Sequence, residues 1–195
     1  MSEILVNTIK KADGTGGLTV PTTAGDIVVS SGGVLPALDG SALTGLAGGT
    51  VKQIQGASQP VAGSAQLSQS WGDLSGLSVS ITPESTSNKI LLVAMVSISY
   101  NNNGSLRFTK DNSPIGVGNS AGSRQQTTTQ DANVVTNGTT FTLVHLDDAG
   151  TTSAITYKVQ AWAYDYYGLN YAYGNNQDVN YRFRAISNIY AIEVE

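Results

Sequence analysis

The chain has 195 residues, 40% of them apolar and 12% charged, so a core is available but neutral polar groups must cover most of the surface. The formal net charge is −4 and no Lys or Arg cluster occurs, which argues against a nucleic-acid partner, since phosphate neutralisation supplies most of that affinity. Cysteine is absent, so disulfides, thiolate catalysis and cysteine-based metal sites are excluded.

The N-terminal MSEILVNTIKK carries an acidic residue at position 3 and a very short apolar run, and does not read as a signal peptide. Residues 1–50 are punctuated by turn pairs: Asp13-Gly14, Gly25-Asp26, Gly32-Gly33, Asp39-Gly40 and Gly48-Gly49. Between them lie short apolar pieces: Ile4, Leu5, Val6 and Ile9; Ile27 and Val29; Val34, Leu35 and Leu38; then Leu43 and Leu46. Such a segment cannot bury enough surface alone to offset its ordering entropy. A flexible Gly/Ser linker is the plain alternative, but it would not carry these β-branched residues. The expectation is an extended assembly or anchoring segment, in which those side chains find a core on sister chains or on another protein.

Residues 51–195 read as a separate all-β domain. Strands are expected at Leu77–Ile81, Lys89–Tyr100, Gly104–Thr109, Ile115–Val117, Thr139–Leu146, Ile155–Asp165 and Val179–Val194. Turns stand at Pro83 to Thr86, Asp111 to Pro114 and Asp147 to Gly150. The run KILLVAMVSISY is apolar throughout its first half, as a central strand with both faces covered would be. Its apolar part, Ile90 to Val96, is too short to span a bilayer, so no membrane insertion is expected. In the last segment, Tyr181, Phe183 and Ala185 share one parity, whereas Tyr190, Ile192 and Val194 share the other. A bulge or break near Ser187 would bring both sets onto one face. These strands, with no long helix between them, predict a β-sandwich or jelly roll.

Groups for chemistry are sparse. The one histidine, His145, lies on the parity of Phe141 and Leu143 in a strand, and could ligate a cation only with Asp147 and Asp148. Those aspartates are turn neighbours and do not make an acid/base pair. No nucleophile elbow, phosphate loop or dinucleotide fingerprint is present. No catalytic residues, metal site or cofactor are expected.

The strongest binding feature is YKVQAWAYDYYGLNYAYG, residues 157 to 174, which holds six of the nine tyrosines. Ile155, Tyr157, Val159, Ala161 and Ala163 form the core parity; Trp162 and Tyr164 stand on the opposite, otherwise polar parity. Tyr166, Tyr167, Tyr171 and Tyr173 are placed in a Gly- and Asn-rich loop. Rings with hydrogen-bonding tips are typical of recognition surfaces, and equally of a subunit interface.

The openings MSEILVNTIKKADGTGGLTVP and LPALDGSALTGL resemble the N-terminal regions of tail-fibre and appendage proteins of tailed bacteriophages, especially marine ones. LSVSITPESTSNKILLVAMVSISY, RFTKDNSPIGVG and the closing FRAISNIYAIEVE are similar to the head domains attached to such proteins. The resemblance implies a virion structural protein, a homotrimer with an extended Gly-rich arm or short shaft and a β-sandwich or jelly-roll knob. Its partners would be sister chains, tail or major capsid proteins, and a host-surface glycan. Only about fifty residues precede the knob, so the projection would be stubby. Capsid decoration proteins, which combine such an arm with a small β-domain, are the second expectation, and a lectin-like domain the third.

Overall fold

In the computed structural model, residues 51–129, 138–171 and 184–195 are described. The anchoring positions expected in residues 1–50 lie outside them, as does Tyr173. The regular elements of the described residues are all strands: β1 (Val51–Gln59), β2 (Gly63–Gln66), β3 (Ser70–Ile81), β4 (Lys89–Tyr100), β5 (Gly104–Lys110), β6 (Ser113–Ile115), β7 (Thr139–Asp148), β8 (Ile155–Ala163), β9 (Tyr166–Leu169) and β10 (Ser187–Val194). All pairings among them are antiparallel.

The first sheet is built on β4. One edge of β4 pairs with β10 along Lys89–Met95 and then with β9 along Ile98–Tyr100. The other edge pairs with β7 along Lys89–Ile98. β1 lies outside β10, and β2 outside β9. The second sheet runs β3-β8-β5-β6. With β2 and β9 set aside, the sheets read β1-β10-β4-β7 and β3-β8-β5-β6. Successive strands then cross from one sheet to the other except at the β5–β6 hairpin, which is jelly-roll connectivity. That hairpin turns through Asp111 and Asn112, with φ of 48° and 69°, as a tight two-residue turn demands.

Alternation builds the core. From β4, Ile90, Leu92, Ala94, Val96, Ile98 and Tyr100 face inward; from β8, the expected Ile155, Tyr157, Val159, Ala161 and Ala163 do so. Each fully buried aliphatic side chain of this kind stabilises the fold by about 1.5–3 kcal/mol. β3 changes parity in mid-strand: Leu74 and Leu77 are both buried because a bulge with Gly76 at φ 77° lies between them. Asn170, at φ 63° and fully buried, ties three elements together. Its Nδ2 donates to the carbonyls of Gln59 and Val61 at 2.6 and 3.1 Å, and its Oδ1 accepts from Ser187 Oγ at 2.6 Å.

A carboxylate is also buried. Glu193 on β10 faces inward and accepts from Gln53 Nε2 (2.6 Å), Asn88 Nδ2 (2.7 Å) and the Glu84 backbone N–H (2.8 Å), clasping the β3–β4 turn. Burial alone would raise its pKa; the hydrogen bonds from Gln53, Asn88 and the backbone of Glu84 and Ser85 outweigh burial and lower it.

Several sequence expectations need correction. β3 starts at Ser70 rather than Leu77, and β1 and β2 were not anticipated. In β10 the buried row is Ile189, Ala191 and Glu193, while Tyr190, Ile192 and Val194 point away from the core. Tyr166 and Tyr167 lie on strand β9, not in a loop, because the Tyr-Tyr-Gly-Leu run completes the pairing of β4 beyond the end of β10.

Candidate functional site

The solvent side of the second sheet carries a continuous ladder of aromatic and polar groups. Strand alternation turns Trp162, Gln160 and Lys158 of β8 outward, and the β3–β8 register sets Trp71 opposite Trp162 and Asp73 opposite Gln160. On the other side of β8, Ser105 and Arg107 of β5 stand opposite Trp162 and Gln160. The β3 bulge follows directly after Asp73, so the next register pair on this side is Ser78 with Lys158.

Hydrogen bonds join these side chains end to end. Lys158 Nζ donates to Asn112 Oδ1 (2.9 Å) and to Asp73 Oδ2 (2.7 Å). Gln160 Nε2 donates to Asp73 Oδ1 (2.7 Å), and Gln160 Oε1 accepts from Arg107 Nε (2.9 Å) and Nη2 (2.8 Å). The Arg107 guanidinium then lies 3.9 Å above the centre of the Trp71 ring, a cation–π contact, and Trp71 Nε1 donates to Gln125 Oε1 at 2.9 Å. Each group in the chain is oriented by its neighbour before any ligand arrives.

Electrostatics follow from that pairing. Burial alone would raise the Asp73 pKa, but the hydrogen bonds from Lys158 and Gln160 and the Lys158 charge together lower it, so Asp73 stays ionised. Partial burial draws the Arg107 pKa down. Trp162 is half-buried, and its indole N–H finds no acceptor among the described residues. A buried donor left without an acceptor costs about 1–3 kcal/mol. Both tryptophans of the chain stand on this one face.

The expected recognition residues are distributed rather than gathered. Trp162 belongs to the ladder. Tyr164, past the end of β8, is exposed. Tyr166 is half-buried beside β2 and donates from its hydroxyl to Gln66 Oε1 at 3.0 Å. Tyr167 is a core residue, which removes it from any recognition surface. Tyr171, just past β9 and hydrogen-bonded through its carbonyl to Ser99 Oγ of β4, has the Arg184 guanidinium 5.3 Å from its ring centre. Tyr171 and Arg184 with Pro60 to Ser64 line an open depression of about 530 Å³. The sequence missed Trp71, Asp73 and Arg107, since the first two fall before the anticipated start of their strand. SWGDL shows no apolar–polar alternation to mark Trp71 and Asp73, and Arg107 joins them only through the pairing of β5 with β8.

The His145 neighbourhood is taken up internally. Asp147 accepts from Tyr157 Oη (2.7 Å) and pairs with Lys110 Nζ (2.8 Å); Asp148 pairs with Lys89. Burial first, then the hydrogen bond and charge of Asp147, push the Tyr157 phenol far above its ordinary range. The His145 ring packs against Gly116, which adopts φ 60° and has no room for a Cβ. No cluster of metal-ligating side chains occurs among the described residues.

Comparison with known proteins returns no matching family model and no matching curated relative.

Proposed function

We propose that the chain is a virion structural protein: a short, trimeric, tail-fibre- or spike-like appendage, attached through residues 1–50, whose jelly-roll domain is a non-enzymatic adhesive knob for surface glycan. The virion setting comes from the resemblance of the sequence to phage tail appendages. The adhesive role comes from one structural observation, the Trp71–Trp162 pair set beside the Arg107–Gln160–Asp73–Lys158 ladder on a solvent-facing sheet.

The chemistry suits a sugar. Indole rings offer rigid apolar area to the C–H faces of a pyranose ring. The lone pairs that Asp73 keeps free and the remaining donors of the Arg107 guanidinium can address neighbouring hydroxyls, with Gln160 holding both groups in place. Within the ladder Lys158 is paired with Asp73, while Arg107 hydrogen-bonds the neutral Gln160; the one positive charge left over suits a neutral or singly acidic glycan better than a highly anionic one.

A glycan array probed with the full chain tests this. Binding of neutral oligosaccharides in the micromolar range is expected, with loss in Trp71→Ala and Trp162→Ala but not in Tyr164→Ala. Absence of any glycan binding, or binding indifferent to both tryptophans, overturns the adhesive role. Copy number per particle tests the setting: a few copies in multiples of three fit an appendage, and hundreds would make the chain a capsid decoration protein.

A further inference from the structure

The outer face of the first sheet has the opposite character. Ile54 of β1, Ile192 of β10, Leu91 of β4 and Leu146 of β7 are register partners in one row across the sheet. The next row is Gly56, Tyr190, Val93 and Val144. Gly56 has no room for a Cβ, which would come within 2.7 Å of the Tyr190 ring, so the glycine lets that ring lie across β1 and extend the face. Met95 follows in the third row, opposite Asn188 and Thr142. Ile54, Val144, Leu146 and Met95 each leave half or more of their surface in solvent. Period-two alternation normally puts polar residues on such a face. Here the outward row of β10 is bulkier than the buried one.

We infer that this face is covered by the same face of a further copy of the chain, and that it is a surface through which copies associate. Three observations select that occupant. The first is charge: Lys89 pairs with Asp148 and Lys52 with Glu195 at the border of the face, so the ions there are matched within the chain. An identical face meets no like charge, whereas an acidic or basic partner, or an anionic bilayer, is offered nothing complementary. The second is size. With strands about 4.8 Å apart and same-face residues about 6.8 Å apart, the two apolar rows on four strands project to roughly 260 Å². That supplies the apolar centre of an interface burying about 800 Å² per partner, and Ser58, Asn188 and Thr142 furnish a polar rim. The third is shape: antiparallel sheets pack well face to face, at about 10 Å. Identical faces packed in this way make an isologous, twofold contact, so it pairs copies in addition to the threefold association proposed above, and it does not depend on the glycan site.

The full chain contains no cysteine, so single thiols report the face directly. Val144→Cys and Ser80→Cys, the latter on the solvent side of the second sheet, place one thiol on each face. We expect an oligomer by sedimentation, with the Val144→Cys thiol alkylated about tenfold more slowly than the Ser80→Cys thiol. Combining Val144→Lys with Leu146→Lys sets like charges against each other across the contact and should halve the number of copies in the oligomer, while leaving tryptophan-dependent glycan binding per chain in place. A wild-type chain that is monomeric or only trimeric, or equal alkylation of the two thiols, overturns the inference. Loss of glycan binding with the oligomer intact would count against the adhesive role alone.

Discussion

Arg107 holds its guanidinium 3.9 Å above the Trp71 ring while donating twice to Gln160 Oε1, and so couples the aromatic and polar halves of the sheet face. Lysine keeps the charge but has neither the planar stack nor the paired donors. Arg107→Lys is therefore expected to lower stability by about 1–2 kcal/mol in urea denaturation. Glycan binding should weaken with it, since Trp71 and Gln160 lose the group that orients them. Unchanged stability and affinity would mean that the stack is incidental.

The buried Glu193 makes stability depend on acid. Its folded pKa is below the ordinary 4.5, so its contribution is complete above that value and is lost as pH falls from about 4.5 through the folded value. Glu193→Gln should flatten the dependence of Tm on pH in that window. At neutral pH the variant should be less stable by roughly 2–3 kcal/mol, because its one amide NH2 would face either the Gln53 donor or those of Asn88 and Glu84. Parallel acid limbs in both proteins would contradict the clasp.

Why β10 misleads in the sequence follows from the same residue. Its inward row includes Ser187, a small Ala191 and an ionised Glu193, whereas Tyr190, Ile192 and Val194 point outward, so hydrophobic periodicity selects the wrong face. β4 and β8 were legible because their inward rows are uniformly apolar against a second sheet. β1 is hidden because three of the four residues on its core-side parity are glutamines: Gln53 serves Glu193, Gln59 donates to the Ser75 carbonyl at the β3 bulge, Gln55 is exposed, and only Ala57 packs on the core. At the candidate site, parity alone placed Trp162 outward. Trp71 and Arg107 join it only through the pairing of distant strands, which no local pattern encodes.

Asn170 combines a left-handed backbone with three side-chain hydrogen bonds. Asn170→Ala should cost roughly 2–4 kcal/mol, since the carbonyls of Gln59 and Val61 lose their donor and alanine is strained at that φ. Asn170→Gly keeps the backbone relaxed and should be about 1 kcal/mol more stable than Asn170→Ala, though still below wild type. Equal stabilities by chemical denaturation would show that the side-chain bonds alone matter.

Tyr157 gives an alkaline counterpart. Its phenol is raised far above the ordinary value of 10 by burial and by Asp147, so the folded state loses stability as pH rises past 10, where the unfolded chain ionises first. Tyr157→Phe should remove that share of the alkaline loss while leaving Asp147 paired with Lys110. Ultraviolet titration of the folded protein should show one phenol fewer ionising in the variant only once the chain unfolds.

Because the two tryptophans of the chain both stand on the ladder, intrinsic emission reports that face without a label. The decisive experiment is an oligosaccharide titration of the full chain followed by tryptophan fluorescence, repeated on Trp71→Phe and Trp162→Phe. A saturable change in wild type, with weakened affinity in both variants, is the expected result. Glycan binding detected by calorimetry with no change in tryptophan emission would place recognition elsewhere on the domain and contradict the assignment of this face.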